Sequence, residues 1–256
     1  MSWTALTGFL LLTGMAAYVQ TLTGFAFGLI TMGGVGLTGL LSLPDAAMLV
    51  SVLTLVNAAQ MLLKGWRDVD WRRFGLVLIA SWPFLFIGFN LLEWLAASRA
   101  DWLRLALGFV IVISSLQLAR MPEPLKQPSG APSFLFFGSV AGLMGGMFST
   151  AGPPLVYHFF RQPMPLVVVR ETLVTIFALT ALFRTGMVVA SDQIPSASTL
   201  SGLFAIPAVI AGTHLARRYP PPLSPAVMRQ VVFLLLFLSG VSLGAPALAH
   251  MLKAAL

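Results

Sequence analysis

Gly145-Gly146-Met147-Phe148-Ser149-Thr150-Ala151-Gly152-Pro153-Pro154 interrupts a long apolar stretch. Pro153 and Pro154 have no backbone N–H and suit the first turn of a helix, while Gly152 gives the chain freedom just before them. A double proline is a poor way to continue a helix, so one helix is expected to end near Phe148 and another to start near Gly152. A weaker counterpart lies in the first half, at Gln20-Thr21-Leu22-Thr23-Gly24-Phe25-Ala26-Phe27-Gly28.

These breaks matter because of what surrounds them. The 256 residues are 58% hydrophobic and only 9% charged, against about 25% charged in soluble domains. From Met1 to Gly65 the only formal charges are Asp45 and Lys64. A soluble fold is excluded, and the chain reads as an all-α, polytopic helical bundle in a lipid bilayer. The net charge of +7 comes from basic clusters at the ends of apolar runs, as the positive-inside rule expects, so no nucleic-acid partner is implied. Trp3, Trp66, Trp71, Trp94 and Trp102 also fall at segment ends, where interface anchors belong. No basic residue precedes Lys64, so the first apolar run is expected to be a permanent helix rather than a cleaved signal. With no Cys and no His/Asp/Glu cluster, neither a metal nor another cofactor is expected.

Apolar runs predict helices over 3–19, 25–41, 45–64, 74–97, 103–119, 133–148, 154–162, 165–190, 199–217 and 226–250. The first two are short, as are the sixth and seventh, and the short pairs occupy matching places in the two halves. A shift of 121 residues brings Gly24 onto Gly145, Pro44 onto Pro165 and Gly65 onto Gly186; a shift of 124 brings Pro83 onto Pro207 and Gly88 onto Gly212. The expected organisation is a first transmembrane repeat over 1–119, a Pro- and charge-bearing linker over 120–132 and a second repeat over 133–256. If each short pair (3–41 and 133–162) re-enters on its own side, each half keeps three full crossings. Lys64–Arg73, Arg120–Lys126, Arg161 and Arg217–Arg218 then share the cytoplasmic face. Three crossings per half makes the repeats inverted, with both termini outside the cytoplasm.

Two inverted breaks would bring two helix N-termini together, and these carry partial positive charge and free N–H donors that attract anions. Thr21, Thr23, Ser149 and Thr150 could add hydroxyl donors. Gly33, Gly34, Gly36 and Gly39 are read instead as small residues that let helices approach closely. Ionisable groups at membrane depth are costly and are functional candidates by default. Arg170 and Arg184 lie fourteen residues apart on one helix, about four turns, and so share a face. Either could attract an anion, with Glu171, pointing about 100° from Arg170, as a proton site. The alternative is that Arg170 and Glu171 snorkel to the interface. His158 could couple protons or simply pack. Asn57 and Gln60 share a face as interhelical hydrogen-bond candidates that could also line a path.

Gly-Gly-Met-Phe-Ser-Thr-Ala-Gly-Pro-Pro-Leu-Val from Gly145, followed by Pro165 and a Thr-rich helix, resembles the second-half signature of the sulfite exporter TauE/SafE family. Thr23-Gly24-Phe25-Ala26-Phe27-Gly28 is similar to the first-half counterpart, although Thr31-Met32 stand near where the commoner form has a Pro. The resemblance implies a bacterial inner-membrane secondary transporter, not an enzyme, exporting sulfite, organosulfur or other small organic anions by alternating access. Its substrate site is expected at Thr23, Gly24, Phe25, Gly28, Phe148, Ser149, Thr150, Gly152, Pro153, Arg170 and Arg184, with Glu171 and His158 in proton coupling. A membrane scaffold would not need polar breaks. An intramembrane hydrolase would need an activated nucleophile such as Ser149 beside His158 or His214, with no nucleophile-elbow pattern present. The sequence leaves the oligomeric state open, a homodimer included.

Overall fold

The computed structural model describes residues 3–119, 124–191, 196–221 and 225–255. Met1, Ser2, Leu256 and the start of the linker, Arg120 to Glu123, lie outside them. The described residues form helices and no strand. In order these are α1 (Trp3–Thr23), α2 (Phe27–Thr38), α3 (Leu43–Gly65), α4 (Trp71–Ser98), α5 (Ala100–Ala119), α6 (Ala131–Phe148), α7 (Gly152–Phe160), α8 (Leu166–Ala190), α9 (Ala197–Leu200), α10 (Ile206–Arg218) and α11 (Pro225–Ala255). Seven are long and apolar enough to cross a membrane: α1, α3, α4, α5, α6, α8 and α11. Local chemistry sets several starts. Ser42 accepts the Asp45 N–H ahead of α3, and Asp70 accepts the Arg73 N–H ahead of α4, each an N-cap that satisfies an orphan donor.

Several expected lengths change, two of them for a local reason. The α1 helix runs to Thr23, 21 residues, because Thr21 and Thr23 return their hydroxyls to the carbonyls of Ala17 and Val19 and remain helical. The span expected over 199–217 is instead divided into α9, a 3-10 stretch Ser201–Ala205 and α10. Pro207 lies in the first turn of α10, where its missing N–H costs nothing.

Helix directions follow from the contacts. Val77 and Ala80 meet Gly138, Ser81 meets Gly142, and Leu85 meets Gly146, so α4 and α6 are parallel. Ala208 meets Gly14 and Tyr219 meets Tyr18, so α10 and α1 are parallel as well. Two pairings run antiparallel. Asp101 binds His250, Gly108 meets Gly244, and Val112 meets Gly240 along α5 and α11. Gly65 meets Glu171, while Ala58 and Met61 pack with Val174 along α3 and α8. Exchanging the two halves of the chain leaves this set of pairings unchanged.

The short helices fold back on their neighbours. Gly8 meets Leu40 and Gly34 meets Leu12, making α1 and α2 an antiparallel hairpin with Gly24–Ala26 at its tip. Phe134 meets Phe159 and Gly145 meets Ala151, so α6 and α7 form a second hairpin with Ser149–Ala151 at its tip. The tips lie 125 residues apart along the chain. The 121-residue shift that pairs Gly24 with Gly145 therefore misaligns them by about one helical turn, since glycines mark both breaks and close packing.

Candidate functional site

The two tips meet. A Cβ built on Gly28 would stand 2.9 Å from the Ser149 carbonyl oxygen and 3.0 Å from Thr150 Cβ. Each tip reverses through left-handed residues: Gly24 at φ 84° and Ala26 at 89° in the first, Ser149 at 53° in the second. Gly24 ends α1, its N–H bonding the Gln20 carbonyl at 2.6 Å. A Cβ there would also press on Arg170 Cγ at 2.7 Å. Ser149 ends α6 in the same way, donating its N–H to the Gly145 carbonyl at 2.9 Å.

Between the tips is a small cavity of about 20 Å³, room for about one water-sized molecule. Gln20, Ala26, Gly28 and Thr54 line it from the first half; Ser149, Thr150, Ala151, Gly152, Phe177 and Thr180 line it from the second. The lining is polar but uncharged. It receives the first turns of both α2 and α7, neither with a cap from its own N-cap side chain, so the positive ends of two helix dipoles face one space. The Thr54 and Thr150 hydroxyls have no hydrogen-bond partner among the described residues, whereas Thr180 returns its own to the Ile176 carbonyl at 2.9 Å.

A hydrogen-bonded relay supports the first tip. The Phe27 N–H, at the start of α2, donates to Gln20 Oε1 at 2.9 Å. Gln20 Nε2 donates to Asn57 Oδ1 at 3.0 Å, and Asn57 Nδ2 donates to Thr213 Oγ1 at 2.7 Å. Thr213 passes its own hydrogen to the Val209 carbonyl at 2.9 Å. Helices α1, α2, α3 and α10 are thus tied together through buried amides. The second tip is tied more simply: Ser149 Oγ donates to the Ala47 carbonyl at 2.5 Å and lies 2.8 Å from Ser51 Oγ.

Of the residues expected at the site, Gly28, Ser149, Thr150 and Gly152 line the cavity. Thr23, Gly24 and Phe25 shape the first tip without lining it; the Thr23 hydroxyl is spent on the Val19 and Phe25 carbonyls at 2.9 and 2.7 Å. Phe148 is buried in the core. Pro153 and Pro154 occupy the opening turn of α7, where they remove two N–H groups that the helix terminus would otherwise present.

The charged candidates stand behind the cavity. Arg170 packs its stem on Gly24 and pairs with Glu171 Oε1 at 3.1 Å; adjacent in sequence, the two nonetheless meet because the long arginine curls back. Glu171 is buried, and its second oxygen has no partner among the described residues. His158 stacks on Phe137 and sits edge-on to Phe134, both at 4.5 Å. It therefore packs the second hairpin and makes no pair with Ser149 of the kind a hydrolase would need. Arg184 is 1% exposed. Its Nε donates to the Gly146 carbonyl at 3.0 Å and its guanidinium lies over Phe89, with Glu93 of α4 as its electrostatic counterpart. It holds the negative end of α6. Arg184→Ala is accordingly expected to lower stability by about 3 kcal/mol, the scale of removing one member of a buried charged contact, read as a fall in thermal midpoint in detergent. Unchanged stability with weakened anion affinity would make Arg184 a substrate ligand instead.

Gln20, Thr54, Phe177 and Thr180 are additions to the expected site. The signal for Gln20 is present in the sequence: a lone amide in an apolar helix needs a partner, and Asn57 offers one.

Opposed helical hairpins that enclose a small polar cavity within a multi-pass apolar bundle define a membrane transporter. The chain belongs to the sulfite exporter TauE/SafE family, whose sequence model matches residues 9–243. It is 39% identical over 244 residues, 95% of each chain, to a protein of Cupriavidus necator described as a probable sulfite/organosulfonate exporter TauE. It is 28% identical over 200 residues, 75% of this chain and 80% of the other, to a probable inner membrane transporter protein TsaS of Comamonas testosteroni. No solved structure matches it.

Proposed function

We propose that the protein exports sulfite or small organosulfonate anions across the bacterial inner membrane by alternating access between two inverted repeats. The observation that carries this reading is the cavity between the tips. It joins the starts of α2 and α7, neither capped by its own N-cap side chain though Gln20 Oε1 takes the Phe27 N–H, and has no ionisable side chain among its described lining residues, a combination that favours a small anion over a cation. The Thr54 and Thr150 hydroxyls supply further donors. The names of the two relatives support sulfur oxyanions and the inner membrane.

Inversion is supported by the pairings. Helices that would exchange with one another, α5 with α11 and α3 with α8, run antiparallel, as a two-fold axis across the helices, in the membrane plane, would have them run. Each hairpin then enters from its own side of the bilayer, and rocking one half against the other would open the cavity to each side in turn. Glu171 is the proton-coupling candidate, with one oxygen held by Arg170 and one buried without a partner among the described residues.

Proteoliposomes loaded with sulfite, alkyl sulfonates or carboxylates test this reading. Sulfur oxyanion efflux is expected, accelerated by a pH gradient, and Glu171→Gln is expected to abolish the acceleration while retaining downhill flux. Absence of flux for every anion in the panel overturns the proposal; acceleration retained by Glu171→Gln removes that residue from coupling.

A further inference from the structure

We infer that Gln20 is a direct ligand of the transported anion, donating the amide hydrogen for which it has no partner among the described residues, and that Asn57 and Thr213 are positioning residues that hold in place the amide whose facing the Phe27 N–H sets. This rests on the reading of the cavity as an anion site.

The direction of the relay is set at its backbone end. The Phe27 N–H can only donate, so the Gln20 atom facing it at 2.9 Å is the carbonyl oxygen. The amide nitrogen therefore faces Asn57, which must present its own oxygen. Asn57 in turn presents its nitrogen to Thr213 Oγ1 at 2.7 Å and Thr21 Oγ1 at 3.5 Å. Both threonines can accept, because their hydrogens go to the Val209 and Ala17 carbonyls. Asn57, fully buried, has a partner for both of its amide hydrogens. Gln20 has a partner for only one of its two among the described residues. It is 3% exposed and lines the cavity, so its second hydrogen lies in a buried space where an unmatched donor is costly.

The other half offers no equivalent. The residue 125 positions on from Gln20 is Gly145, without a side chain, and Pro153 and Pro154 remove backbone donors from α7. Side-chain amide donation to the anion is therefore one-sided, from the first hairpin, which moves with α3 and α10 through the relay. An amide held as a donor selects a head whose oxygens all accept, such as the SO₃ group of sulfite or a sulfonate.

Sulfite flux in proteoliposomes, measured against concentration, separates the roles. Gln20→Leu is expected to raise KM for sulfite at least tenfold with a smaller effect on maximal flux. Thr213→Val, which removes the nearer acceptor of the Asn57 amide and so loosens its hold on Gln20, is expected to raise KM several-fold, and Thr213→Ser to restore it. A purely structural relay would instead lower maximal flux and thermal midpoint with KM unchanged. The second pair stands independently if Gln20→Leu does not fold. Unchanged KM in both Gln20→Leu and Thr213→Val, with the wild type active, overturns the assignment alone. A wild type without flux overturns the anion reading, and the role of Gln20 falls with it.

Discussion

Gly28→Val is expected to cut anion flux at least tenfold while leaving the protein folded. Residue 28 lies in the first turn of α2, and its missing side chain is what lets the hairpins touch. The nearest obstacle to a Cβ, 2.9 Å away, is the Ser149 carbonyl oxygen. That atom is backbone, and Ser149 is anchored by its hydroxyl to Ala47 and by its N–H to Gly145. The second tip therefore cannot yield by a rotamer change, and valine's two methyl groups must either push the tips apart or fill the cavity. Both outcomes damage an anion site built from the starts of α2 and α7. Displacements of about 1 Å in such sites can cost on the order of a hundredfold in rate. Gly28→Ala, with one methyl, is expected to be milder. The fold should survive because Gly28 lies at a tip rather than in a helix seam; the thermal midpoint in detergent checks this, and proteoliposome flux checks the loss. Flux within a factor of two of wild type would show that the tips are not where the anion is held.

The contrast between the two tips explains what can be read from the chain. The bundle is legible because a bilayer imposes one length on an apolar run. The second break is legible because two adjacent prolines and a glycine act locally, whatever surrounds them. The first break reads too early and too broadly, over Gln20–Gly28, since whether Thr21 and Thr23 stay helical depends on hydroxyls turning back to carbonyls one turn below. The charged residues are the hardest to read. A buried arginine is costly whether it binds a substrate or a neighbouring carbonyl, so Arg184 gives the same signal for either role, and its contact with the Gly146 carbonyl is visible only in the fold. His158 likewise depends on Phe134 and Phe137, which lie more than twenty residues away in sequence. Gln20 escapes notice as a site residue because its meaning resides in its partners Phe27 and Asn57, and in Thr213 behind Asn57, on three other helices.

Gly146→Leu is expected to have the largest effect on stability, about 3 kcal/mol or more, the upper range for forcing bulk into a packed seam. Helices α4 and α6 approach through Gly138, Gly142 and Gly146 on one side and the backbone of Val77, Ser81 and Leu85 on the other. Small residues at this spacing let two membrane helices pack backbone to backbone, where lipid offers no hydrophobic drive for association. A Cβ at Gly146 would collide with the Leu85 carbonyl oxygen and stand 2.7 Å from the Phe89 nitrogen. Neither atom can turn away, so the helices must separate along the seam. Separation would also draw the Gly146 carbonyl from Arg184 Nε, now 3.0 Å away, leaving a buried guanidinium with one partner fewer. Gly186→Leu, on α8, supplies the control: a Cβ there would have no other atom within 4 Å, so the same added bulk faces open space. A collapse of the folded fraction in size-exclusion profiles is expected for Gly146→Leu and not for Gly186→Leu. Equal behaviour of the two would mean that the α4–α6 seam is not what holds the second hairpin against its neighbour, and that the hairpin is free to move without it.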